Sequence, residues 1–162
     1  MNPTQILRFT LLSLLPLCFF ACGGDPDGHG HYHGHHHDPM FGGILIELGD
    51  HAHNLELVHD KEAGTLDAYI LGGHASKVVK IAQESILINL DTASGEADEL
   101  ELKAVADEIT KETVGDTSRF SITDESLKTT ESLKGKVLKI EAQGATYTEI
   151  AFDLNEKHDH KH

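Results

Sequence analysis

The sequence predicts an all-β fold, a single Ig-like antiparallel β-sandwich or a barrel of about seven to eight strands with one short helical crossover. Three observations carry that expectation. From Met40 onward, short apolar runs are divided by turn residues at a spacing suited to many short strands. Several runs alternate apolar and polar side chains with the period of two of a half-buried strand. Only one stretch, 124–133, breaks that texture.

The candidate strands are 43–48, 53–59, 65–71, 85–90, 99–104, 118–123, 136–142 and 145–153, within a domain spanning 40–154. In the second, Glu56 alternates with Leu55 and Leu57 and is expected to face solvent. Lys61-Glu62-Ala63-Gly64 reads as the turn that follows it. In 85–90, Ile86, Ile88 and Leu90 oppose Leu87 and Asn89, the pattern of a strand buried on both faces. In 99–104, Leu100, Leu102 and Ala104 oppose Glu99, Glu101 and Lys103, the pattern of an outer strand. The helical crossover is expected in 124–133, where Asp124 is a good helix start and Leu127 and Leu133 supply an apolar side. Gln143-Gly144 suits the short hairpin between the last two strands.

Residues 1–21 read as a lipoprotein signal peptide. One positive side chain, Arg8, precedes an apolar run from Phe9 to Ala21 that is too short for a membrane span of roughly 20 apolar residues. The end of the run, Phe19-Phe20-Ala21-Cys22-Gly23-Gly24, resembles a bacterial lipobox, which implies cleavage before Cys22 and lipidation, with palmitate, at that cysteine. Cleavage by an ordinary signal peptidase nearby would instead release a soluble periplasmic product. Gly23 in place of aspartate resembles the outer-membrane sorting signal. The expected location is therefore the bacterial cell envelope, lipid-anchored in the outer membrane and facing the periplasm. Cys18 leaves with the leader, so no disulfide is available and the fold must rest on a hydrophobic core.

Loss of Arg8 takes the formal net charge from -14 to -15. Such a surface repels nucleic acid and draws cations, although acidity also simply keeps proteins dispersed. Residues 22–39 hold mostly glycine, aspartate, proline and histidine, with Tyr32 as the one large apolar side chain before Met40, so a disordered tether is expected. Fully extended, it would reach on the order of 55 Å.

Six histidines stand within nine residues of that stretch: His29, His31, His33, His35, His36 and His37. Neutral imidazole is a strong ligand for zinc, copper and nickel, and a free imidazole titrating near ~6.5 is mostly neutral at pH 7. Glycines 28, 30 and 34 would let the backbone fold several rings around one ion. A purification tag would be contiguous and terminal, whereas this run is broken by glycine and Tyr32 and follows an export signal. The remaining alternative is a solvated low-complexity linker. His158, His160 and His162, in the tail 155–162, form a second candidate group.

Inside the domain, His51 and His53 would share one face of an extended strand and could converge on a metal, with Asp50 or His74 as a third ligand. Exposed histidines at a strand end are the plainer reading. His59 reads as the strand's exit and His74, after Gly72-Gly73, as a surface residue. No G-x-S-x-G, HExxH, P-loop or CxxC occurs, so the chain does not read as an enzyme. A redox copper enzyme is not expected either, since no usable thiol remains once Cys18 leaves and Cys22 is lipidated, and no Cys-His-Met set is defined; Met40 is the only methionine beyond the leader.

The run Phe41-Gly42-Gly43-Ile44-Leu45-Ile46-Glu47-Leu48-Gly49-Asp50-His51, with Asn54-Leu55-Glu56-Leu57-Val58 and Thr65-Leu66-Asp67-Ala68-Tyr69-Ile70-Leu71, resembles small His-rich exported bacterial lipoproteins. It is also similar to periplasmic domains of heavy-metal efflux adaptor proteins, and residues 120–133 and 136–150 extend the likeness. The resemblance implies a β-sandwich, a role in metal handling, and an efflux adaptor as partner. Phe41 stands where the pattern leads one to expect histidine before the double glycine, so any site built there in relatives is expected to be missing. Together these readings describe a lipoprotein that binds divalent transition metals for buffering, capture or hand-over. The competing class is a lipid-anchored interaction module that docks to another envelope protein, with the histidines as linker only.

Overall fold

The computed structural model describes residues 37–91, 97–130 and 132–155, all within one compact unit, His35–His162. Its elements are β1 (Ile44–Leu48), β2 (His53–Asp60), β3 (Thr65–Gly72), β4 (Ser85–Asp91), β5 (Ala97–Ala104), β6 (Arg119–Thr123), α1 (Ser126–Thr129), β7 (Lys134–Ala142) and β8 (Ala145–Asp153). The eight strands pair antiparallel in the order β1-β2-β3-β6-β5-β4-β7-β8. The expected all-β fold is present, with its strands in one continuous, nearly closed sheet instead of two separately paired ones.

Period-two alternation builds the core. Leu55 and Leu57 of β2 lie opposite Ile70 and Ala68 of β3, and all four are sealed from solvent. Phe120, Leu102, Ile86, Ile88, Val137 and Ile140 bring the same inward face from β6, β5, β4 and β7. Each large side chain removed from water contributes roughly 1.5–3 kcal/mol, and the described residues, which include no cysteine, draw their stability from this cluster.

Two strand expectations are corrected. Leu87 is 36% exposed, so β4 is buried on one face only. The acidic-faced strand β5 is interior to the sheet, flanked by β6 and β4. Alternation reports which face is wet and says nothing about position within the sheet. The crossover helix is also shorter than the 124–133 stretch suggests. Its N-cap is Glu125, without a side-chain cap bond, and Asp124 just ahead of it accepts the Ser126 N–H at 2.8 Å; bonds from the Ser126 side chain and backbone hold the Asp124 carboxyl below the usual carboxylate range. Thr129 and Thr130 end it, because both hydroxyls bond back to the Ser126 carbonyl.

The segment before β1 belongs to the fold. Gly42 has φ 81°, and at Gly43 a Cβ would collide with the Leu57 carbonyl, so the double glycine permits a reversal that side chains would block. Residues 40 and 41 then lie as a strap against the outward residues of β2 and β3. The last hairpin turns through Gln143 (φ 49°) and Gly144 (φ 87°), the two left-handed positions of a type I′ turn.

Candidate metal-ligating histidines and the groups that place them

Of the histidines picked out in the sequence, His29, His31, His33, His35, His36, His158, His160 and His162 lie outside the described residues, as does Cys22. His37, His51 and His53 lie within them, and the structure does not bring His51 and His53 together. His51 falls in the β1–β2 turn with φ 55°, not in the strand, so the shared face never forms. Its ring is exposed and its Nδ1 stands 3.0 Å from the Glu47 carboxylate.

His53, two residues on, points inward and is buried. Both of its nitrogens are used inside the domain. Nδ1 lies 2.8 Å from the Tyr147 hydroxyl and Nε2 lies 3.3 Å from Gln143 Oε1. An amide oxygen can only accept, so Nε2 carries the proton and Nδ1 accepts from Tyr147. These bonds tie β2 to the β7–β8 hairpin, and Tyr147 also abuts Gly49 at the start of the β1–β2 turn. His53 is thus a closure residue where the two ends of the sheet approach.

Glu56 overturns its solvent-facing expectation. It is fully buried, because the strap covers it. Its carboxylate accepts from the backbone N–H groups of Met40 at 2.8 Å, Phe41 at 2.7 Å and Gly43 at 2.9 Å. Bonds to an ionised acceptor are the strong ones, so the strap is held by charge as well as packing. Phe41 completes the grip by stacking on Tyr69, ring centroids 3.8 Å apart and 14° from parallel. Tyr69 lies directly across from Glu56 and, on its other side, from Arg119.

Arg119 sits 5.7 Å from the Tyr69 ring and bonds both carboxylate oxygens of Asp67, at 3.0 and 3.2 Å. Burial works against the Arg119 charge, but the bond to Asp67 and its charge outweigh that and raise its pKa above the ordinary value. Burial first, and the Asp67 charge next, push the Tyr69 phenol above its ordinary value of 10.0, with Arg119 opposing. This outward row is a structural network, satisfied within itself.

At the near end of the strap, the His37 ring meets the His74 ring edge-on, centroids 5.6 Å apart and planes at 77°. His74 is exposed on the β3–β4 connection, as its sequence context suggested. That connection is firmly built. Asn54 Nδ2 donates to the carbonyls of Gly72 at 3.0 Å and Gly73 at 3.1 Å, and Gly73 packs too close to the His51 carbonyl to tolerate a side chain. His59, placed near the end of β2, bonds through Nε2 to the Leu127 carbonyl at 2.9 Å and anchors the crossover helix.

Among the described residues, no group of three or more His, Cys, Asp or Glu side chains is placed to hold a metal ion. What the geometry offers is an adjacent imidazole pair, His37 and His74. Sequence reasoning missed Glu56, Tyr147 and Gln143, whose roles depend on partners 13 to 94 residues away. One signal was present for Glu56. The double glycine ahead of β1, preceded by Met40 and Phe41, marks a reversal that would lay apolar residues on the outer face. No protein-family model matches the chain, and neither a curated protein nor a solved structure matches it significantly.

Proposed function

We propose that the chain is an envelope lipoprotein, anchored through Cys22 in the outer membrane, that binds divalent zinc, copper or nickel for buffering, capture or hand-over. The density of six imidazoles within nine residues, His29 to His37, carries this reading. The net acidic charge adds to it, since a negative surface raises the local concentration of cations. Hand-over to a heavy-metal efflux adaptor follows from the sequence resemblance. Within the domain, His53, Glu56, Tyr69 and Arg119 are engaged in closing the sheet and gripping the strap.

Titration of the mature chain with zinc or copper, followed by calorimetry at pH 7.5 and 5.0, tests this. Several equivalents are expected to bind at pH 7.5, and binding is expected to fade below about pH 5.5, because imidazoles protonate near ~6.5 and lose the coordinating lone pair. Deleting residues 28–38 is expected to remove most of the stoichiometry. An unchanged stoichiometry after that deletion would refute the reading.

One observation favours the interaction module as a second reading. The loop between β5 and β6 leaves Ile109 92% and Val114 58% exposed. The loop is nonetheless braced: Lys80 donates to the Thr110 and Lys111 carbonyls, and buried Glu112 accepts from the Thr117 and Ser118 hydroxyls. A protein partner that copurifies in the presence of a chelator, and is lost on Ile109→Ser, would support this alternative.

A further inference from the structure

We infer that His74 and His37 together form a two-imidazole docking point for a divalent transition metal ion on the domain itself. The inference rests on the reading that the histidine-rich stretch binds metal, and it names where on the folded domain such an ion is received. Two imidazoles on one tetrahedral ion, each with about 2.0–2.1 Å from metal to nitrogen, place their ring centres about 5.2 Å apart. His37 and His74 have centroids 5.6 Å apart, within about half an ångström of that separation. Each ring has two nitrogens and coordination needs one.

Preorganisation strengthens the case. A pair of flexible surface histidines must give up side-chain and backbone entropy before they chelate. Here much of the backbone part is already lost on folding. His74 follows the two glycines whose carbonyls Asn54 holds, and the Ala75 N–H closes that turn on the Gly72 carbonyl at 2.8 Å. His37 stands three residues before Met40, where the Glu56 carboxylate begins its grip. The buried glutamate therefore acts on the pair from a distance, by fixing where the histidine-rich stretch joins the domain. Two protein ligands leave coordination positions open, as in sites that exchange what they hold. The pair would receive an ion and release it, which suits hand-over better than storage.

The test is zinc titration of the mature chain followed by imidazole 15N NMR and calorimetry, with His74→Gln as the variant. His74 is exposed, so the substitution leaves the core untouched. The first equivalent of zinc is expected to move the His74 and His37 resonances together. His74→Gln is expected to weaken the tightest site by at least about tenfold, since loss of even an outer-shell partner costs about 10–100-fold in metal affinity. His37→Gln is expected to do the same, with the double variant no worse than either single one. If zinc binds while the His74 resonances stay still and His74→Gln binds as tightly as the parent, the docking point is wrong and the histidine-rich stretch alone holds metal. If no zinc binds, both readings fall.

Discussion

Of the three buried polar side chains of strand β2, His53 lies inward at the seam and Glu56, three residues on, outward under the strap, and these two hold the molecule in different ways. The seam is closed by neutral groups: one imidazole, one phenol and one amide, each hydrogen bond contributing on the order of 1 kcal/mol. The strap is held by one carboxylate that accepts from three backbone N–H groups, each such bond to a charged group contributing about 1.5–3 kcal/mol. A nearly closed sheet thus has a light clasp, whereas the segment that delivers the histidine-rich stretch to the domain is firmly tied. Attachment of the strap at Met40, Phe41 and Gly43 is the more heavily stabilised feature.

That contrast can be broken at the strap first. Glu56→Gln keeps size and two acceptor bonds but turns an amide NH2 toward the Met40 N–H, and is expected to cost about 2–3 kcal/mol in urea unfolding. Hydrogen exchange at residues 40–43 should accelerate in the same variant. At the seam, His53→Phe keeps a flat ring, somewhat larger than imidazole, and removes both bonds, with an expected cost of about 1–2 kcal/mol, while Tyr147→Phe should cost about 1 kcal/mol. A seam variant as damaging as Glu56→Gln would show that closure, not the strap, dominates.

A smaller effect is expected in alkali. The Tyr69 phenol is raised, so the folded state resists its ionisation; stability is intact below the unfolded value near 10 and declines as pH rises above it. Absorbance titration near 295 nm should show one of the three tyrosines ionising late, and Phe41→Ala, which uncovers the ring, should reduce the delay. The smallest effect is expected at His51. Asparagine tolerates its left-handed backbone, and the exposed pair with Glu47 contributes little, so His51→Asn should stay within about 0.5 kcal/mol of the parent.

The strands were legible because burial on one face imposes alternation locally. Leu66, Ala68 and Ile70 announce β3, and Gln143-Gly144 announces its hairpin, from a few neighbouring residues. His51 and His53 were misread together, since a two-residue spacing implies a shared face only if both are extended, and the turn at 49–52 takes His51 out of the strand. Glu56 was misread because alternation identifies the outward face but not what covers it. Tyr147 and Gln143 gave no local sign at all; each matters through a partner about 90 residues away.

The sequence by itself determined the all-β class, the approximate position of every strand, and the concentration of imidazoles ahead of the domain, because these follow from composition and local periodicity. Only the tertiary structure decided that the sheet is continuous and nearly closed, that His53 is a closure residue, that Glu56 binds the strap, and that His74 stands beside His37. Those outcomes depend on which distant segments meet, and hydrogen bonds and ring contacts across the fold are set by strand order and register, which no local pattern of residues encodes.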